Sequence, residues 1–143
     1  MLLAFALLVI VGATVVFYLF TKKHTNTATA SADFTLSAVP FIQEFVKNEK
    51  LANPKYAEKI ITVNGRVAET EPSDSSINVK MIDTSSGAYI IFAFQPQDAA
   101  NAKGIMAGDS VSIKGSCSGG TYSEILDVHF ISFKRSTLDQ NFK

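Results

Sequence analysis

The chain has 143 residues, with 13 Lys and Arg balanced by 13 Asp and Glu, and one cysteine. That length suits one compact domain plus an appendage. The charge balance argues against a module built to grip a phosphate backbone, which usually carries a basic excess, and a lone Cys117 excludes an internal disulfide and argues against a clustered Cys/His zinc site.

No charge occurs from Met1 to Phe20. The stretch Leu2 to Phe20 would span roughly 28 Å as a helix, close to the hydrocarbon thickness of a bilayer. It predicts a single-pass anchor and hence a membrane localisation, with Tyr18 near the headgroups and Lys22 and Lys23 just beyond. A cleaved signal is the alternative, with Ala30-Ser31-Ala32 resembling a cleavage site. The apolar run is longer than a signal core, and that triplet lies well past its end. With no cysteine following the run, a lipid-modified N-terminus of the lipoprotein kind is not expected. The two lysines favour keeping the domain in the cytoplasm.

Residues 22–36 read as a polar linker rich in Thr, Ala and Ser. Ser37 can cap a short amphipathic helix with Pro40 in its first turn. Phe41, Ile42, Phe45 and Val46 fall at helical spacing, and Asn53-Pro54 marks the end. Such a helix either packs on the domain or receives a partner.

From Lys59 the hydrophobic period becomes two. Ile61, Val63, Gly65 and Val67 form a first strand, with Gly65 suggesting a bulge or bend. Glu69 to Ser76 reads as a polar connection. Ile77, Val79 and Met81 form a second strand, and Ala88 to Phe94 a third with Ile90, Phe92 and Phe94 inward. Pro96 to Met106 has helical composition. Val111, Ile113 and Gly115 make a fourth strand, Gly119-Gly120 a turn, and Ile125 to Phe133 a fifth strand. Lys134 to Lys143 looks like a frayed tail.

Five strands with a short helix between the third and fourth is the layout of an OB-type barrel. The expected fold is therefore all-β: a five-stranded OB-type barrel preceded by an amphipathic helix and an N-terminal transmembrane helix. The organisation is an anchor at 1–21, a linker at 22–36, the barrel with its leading helix at 37–135, and a tail at 136–143.

Several runs carry a family resemblance. They are Lys23-His24, Ala32-Asp33-Phe34-Thr35-Leu36, Tyr56, Ile61-Thr62-Val63-Asn64-Gly65-Arg66-Val67, Gly108-Asp109-Ser110-Val111-Ser112-Ile113-Lys114-Gly115, Ser116-Cys117-Ser118-Gly119 and Ile125-Leu126. Over Lys22 to Phe133 the chain resembles the bacterial tRNA-anticodon-like OB-fold family, small exported or membrane-tethered proteins mainly of Bacteroidetes. Members often carry a second cysteine in the last strand, about where His129 stands here, so a family disulfide could not form. The resemblance implies an outward-facing, periplasmic domain, against the vote of the two lysines. It brings no catalytic residues and does not establish RNA binding.

No nucleophile elbow, zinc-protease, P-loop or dinucleotide motif is present. Asp127 and His129 are two apart on the last strand, the spacing of a shared face. A carboxylate beside an imidazole can be a catalytic pair, but no nucleophile is evident nearby, so a solvated strand pair is expected. Cys117 is expected to act as a small apolar side chain rather than a reactive thiol. No enzyme, metal or cofactor is expected.

The OB ligand face uses the second and third strands. Its outward residues would be Asn78, Lys80, Tyr89 and Ile91, joined by Arg66 and Lys114. The function expected is a membrane-tethered, non-catalytic binding module facing an envelope protein or glycan. The alternative is a nucleic-acid module in which Tyr89 stacks a base and Lys80 pairs a phosphate.

Overall fold

The computed structural model describes residues 13–14, 26–72 and 76–139. The elements in chain order are β1 (Phe34–Ser37), α1 (Ala38–Tyr56), β2 (Ile60–Arg66), β3 (Glu69–Pro72), β4 (Ile77–Ile82), β5 (Tyr89–Phe94), α2 (Pro96–Ala102), β6 (Ser110–Ser123) and β7 (Val128–Leu138).

The amphipathic stretch becomes α1, and it does not run straight. Asn48 leaves helical geometry at φ −160° and ψ 87°. Its side-chain oxygen accepts the Leu51 N–H at 3.2 Å, capping the second half. The two halves fold back on each other. Glu44 accepts hydrogen bonds from Lys55 Nζ at 3.0 Å and from Tyr56 Oη at 2.9 Å, although eleven residues of straight helix would separate such groups by about 16 Å. The fold-back buries Phe41, Ile42, Phe45, Ala52 and Tyr56 on one side. Phe41 meets Phe45 edge-on at 5.3 Å between centroids and Tyr56 at 5.0 Å. Burying each such ring is worth about 1.5–3 kcal/mol, which outweighs the cost of one non-helical residue.

This aromatic wedge sits against a single mixed sheet of seven strands, ordered β1-β2-β6-β7-β5-β4-β3. β1 and β2 are parallel, as are β5 and β7; the other neighbours are antiparallel. Alternation decides which side chains meet the wedge. Ile61, Val63, Val79, Met81, Ile90, Phe92, Ile113, Cys117, Ile131 and Phe133 turn inward and are buried. The inward set expected on β5, Ile90, Phe92 and Phe94, is the one observed.

Two glycines allow this close packing. A Cβ at Gly120 would lie 2.5 Å from the Phe45 ring, and one at Gly65 would lie 2.7 Å from both Ala38 Cβ and Met81 Sδ. Gly65 therefore makes room for a neighbour and not for a bulge: it stays in regular register opposite Val111.

Several expectations are corrected. The closed five-stranded barrel is replaced by an OB-like but unclosed sheet of seven strands. The expected first strand is β2, which ends at Arg66, and the chain then breaks away at Val67-Ala68 to the far edge of the sheet, where an unexpected β3 pairs with β4. The break has a cause in hydrogen bonding: Val67 N–H donates to Asp109 beside β6, whereas Ala68 N–H donates to Lys80 on β4, each at 2.8 Å. The polar connection after Val67 thus contributes β3, and the stretch read as linker contributes most of β1.

The Gly119-Gly120 turn is also corrected: both residues lie inside β6, and the reversal falls at Glu124 to Asp127. The supposed tail supplies the end of β7, through Leu138. The expected single-pass span and membrane localisation find no support either: no helix among the described residues is long and apolar enough to cross a membrane. Apart from Ala13 and Thr14, the stretch Leu2 to Phe20 itself lies outside the described residues.

One side chain ties α1 to the sheet. Asn53 donates from Nδ2 to Gly120 O at 2.8 Å and accepts the Gly120 N–H at 2.9 Å. Asn53→Ala strands both backbone groups of a partly buried glycine, so it should cost about 2–3 kcal/mol in urea unfolding; a loss within error would show that this clamp does not hold the wedge in place.

Candidate binding face

The outward faces of β4, β5 and β7 form the candidate site. On β4 the alternation that buries Val79 and Met81 turns Asn78 and Lys80 outward. On β5 it turns out Tyr89 and Ile91. On β7 the inward Ile131 and Phe133 leave Phe130 outward, directly across from Tyr89. The two rings stack at 5.9 Å between centroids and 18° between planes. Lys80 Nζ lies 5.7 Å from the Tyr89 centroid. Because β5 runs between β4 and β7, Tyr89 is flanked by the cation on one strand and the phenyl ring on the other.

Lys80 is not a free cation. Its register partner on β3 is Glu69, whose carboxylate lies 3.5 Å away, and Glu71 makes a closer ion pair with the same ammonium. The hydrogen bond to Glu71, ahead of other causes, holds Lys80 above the ordinary lysine range. The lysine side chain is only 19% exposed, against 55% for Glu69.

Beside this row lies an open depression of about 510 Å³, lined by Glu69, Lys80, Ile82, Ser86, Gly87, Tyr89, Leu126, Asp127 and Val128. Its near wall is the β4–β5 turn. Buried Asp83 builds that turn by accepting hydrogen bonds from the Ser85 hydroxyl at 2.7 Å, the Ser86 hydroxyl at 2.8 Å and the Ser85 N–H at 3.0 Å. These bonds, the Ser85 hydroxyl first, hold its carboxyl below the usual range. Gly87 closes the turn at φ +74°, a backbone state that glycine adopts without strain. The far wall is the β6–β7 turn, where Tyr122 Oη donates to Asp127.

The structure thus brings Lys80, Tyr89 and Ile91 together; Ile91 stands opposite Lys80 in the ladder. Asn78 lies further along β4, between Glu71 and Ala93. Arg66 and Lys114 do not join the row. Arg66 Nε donates to Gly108 O at 2.9 Å at the end of β2. Lys114 is nearly buried and donates to the carbonyls of Ala28 and Ala30 at 3.1 Å each, pinning the segment ahead of β1.

Phe130, Glu69 and Glu71 were missed. Phe130 was legible from its parity against Ile131 and Phe133. The two glutamates were hidden because Glu69 to Ser76 carries no apolar alternation.

The other flagged residues are accounted for. Burial pushes the Cys117 thiol up to about 11, so it stays protonated and packs as an apolar side chain. Asp127 lies in the turn, bound by Tyr122, and the carboxylate beside His129 is that of Glu49 at 3.7 Å. The expected Asp127 and His129 side-by-side arrangement is thus split between two different partners. No group of three or more metal-ligating side chains occurs among the described residues.

Comparison with known proteins adds a family. The model of the tRNA_anti-like family matches residues 1–127. The chain belongs to the tRNA_anti-like family. A crystal structure of a "putative nucleic acid-binding lipoprotein" from Klebsiella pneumoniae subsp. pneumoniae MGH 78578 is similar at 18% identity and a TM-score of 0.59, covering 73% of this chain and 91% of that one. At that identity the likeness shows the shared fold. A "putative aspartyl-tRNA synthetase" from Leishmania major Friedlin aligns at 11% identity and a TM-score of 0.48, covering 82% of this chain but 22% of that one. No curated protein matches.

For this tRNA_anti-like domain, Asp83 offers a direct test of the near wall. Its depressed folded-state pKa gives a stabilisation present above the ordinary carboxylate value, and lost as pH falls through the lower folded value. Asp83→Asn should cost about 1–2 kcal/mol near pH 7. The gap from wild type should close below about pH 4, seen in urea unfolding across pH. A gap independent of pH would exclude the ionised carboxylate as the turn's organiser.

Proposed function

We propose that the chain is a non-catalytic binding module whose ligand sits on the outward face of β4, β5 and β7 and is not a polyanion. The observation that carries this is the double carboxylate cover on Lys80 from Glu69 and Glu71. A phosphate approaching that lysine must displace two carboxylates or sit beside them, and like charges across an interface cost several kcal/mol. The stacked Tyr89 and Phe130 supply apolar surface that a protein or glycan ligand can use.

A second reading is a nucleic-acid module using the same strands. It is favoured by the name given to the Klebsiella structure and by the presence of two outward rings, since bases stack on aromatic side chains. Against it stands the balanced charge of the whole chain.

A salt titration separates the two. The full chain is mixed with a labelled single-stranded oligonucleotide at low and at physiological salt. The proposal predicts no saturable binding at either. Binding that weakens steeply with salt would contradict it and support the nucleic-acid reading.

A further inference from the structure

We propose that the depression between the β4–β5 and β6–β7 turns docks an extended peptide segment carrying a lysine or arginine beside an apolar side chain. This rests on the face assigned above and names the class of its partner.

The first argument is charge. Around the depression stand Glu69, Glu71 and Asp127 against one ammonium, Lys80. Three carboxylates against one cation leave a surplus of two negative charges there. Glu69 is the carboxylate free to act: its bond to Lys80 is long, at 3.5 Å, and its side chain is 55% exposed. An incoming cation can pair with Glu69 while Glu71 keeps Lys80 neutralised. The surplus repels anions and attracts a basic segment.

The second argument is apolar surface. Leu126 is 61% exposed and Ile82 is 36% exposed, one on each side of the depression, and the adjacent Ile125 is 95% exposed. Large aliphatic side chains gathered at a concave surface mark an interaction site more than scattered ones do. Tyr89 and Val128 complete the apolar lining. A ligand offering only charge would leave these side chains in water, and one offering only apolar groups would desolvate carboxylates without a partner. A basic residue next to an apolar one satisfies both.

The third argument is shape. The depression is shallow and open, and its walls are two turns with Glu69 on the neighbouring strand edge. Such a surface accepts a chain laid across it more readily than it encloses a small molecule.

The test uses isotope-labelled full chain and four probes: an alternating lysine–leucine hexapeptide, its glutamate–leucine counterpart, a single-stranded oligothymidine and a neutral soluble oligosaccharide. The lysine–leucine peptide should shift the amide signals of Ile82, Gly87, Tyr89 and Leu126, and bind at least about tenfold more tightly than the acidic peptide. Glu69→Lys should weaken it about tenfold with the amide spectrum of the fold retained. Leu126→Asp should weaken it as well, through the apolar wall. A basic peptide that leaves those amides unmoved overturns the proposal, as does binding that survives Glu69→Lys unchanged. If another probe moves the same amides instead, the face remains a binding site and only the peptide class fails. If no probe moves them, the assignment of the face falls too.

Discussion

The fold depends on one packing constraint: the rings of a folded-back helix must enter a sheet at points where the sheet has no side chains. Phe45 can lie against β6 only because Gly120 presents bare backbone there. Asn53 then hydrogen-bonds both polar groups of that same glycine, so a residue that makes room is also a residue that is held. The bend at Asn48 is what brings Phe41, Phe45 and Tyr56 into one wedge. Without it, a straight helix of this length would present its second half to solvent.

The candidate face follows from this arrangement. Once Val79, Met81, Ile90, Phe92, Ile131 and Phe133 are committed to the wedge, the two-residue period leaves Lys80, Tyr89, Ile91 and Phe130 on the other side with no freedom to choose. The break at Val67-Ala68 then sets the electrostatics. It places β3 beside β4 rather than beside β6, which delivers Glu69 and Glu71 to Lys80. A continuous first strand would have left that lysine uncovered. The character of the face, acidic and apolar instead of basic, is therefore a consequence of topology as much as of composition.

Much of this was legible in the sequence, and the failures have physical causes. The strands β4 and β5, and the inward parity of β5, were readable because their apolar residues alternate without interruption. Placing Lys80 with Tyr89 needed only that parity and the adjacency of neighbouring strands. The turn assigned to Gly119-Gly120 failed because paired glycines signal reversal locally, whereas here one of them answers a ring arriving from α1. β3 failed because its four residues, Glu69–Pro72, bury almost nothing and earn their strand geometry from pairing with β4. Lys114 looked like a surface cation, yet its ammonium is used up by two carbonyls of a segment far back in the chain. Long-range partners of this kind leave no trace in local pattern.

The central claim, that Gly120 is kept bare by Phe45, is tested most directly by a double-mutant cycle in urea unfolding. Gly120→Ala should destabilise the chain by about 1–3 kcal/mol through overpacking. Phe45→Leu on its own should cost a comparable amount through lost ring contacts. Combined, they should cost clearly less than their sum, with a coupling of about 1 kcal/mol or more, because the smaller side chain vacates the space the new methyl needs. Strict additivity would mean that the two residues do not compete for one volume, and would contradict the packing on which the account stands.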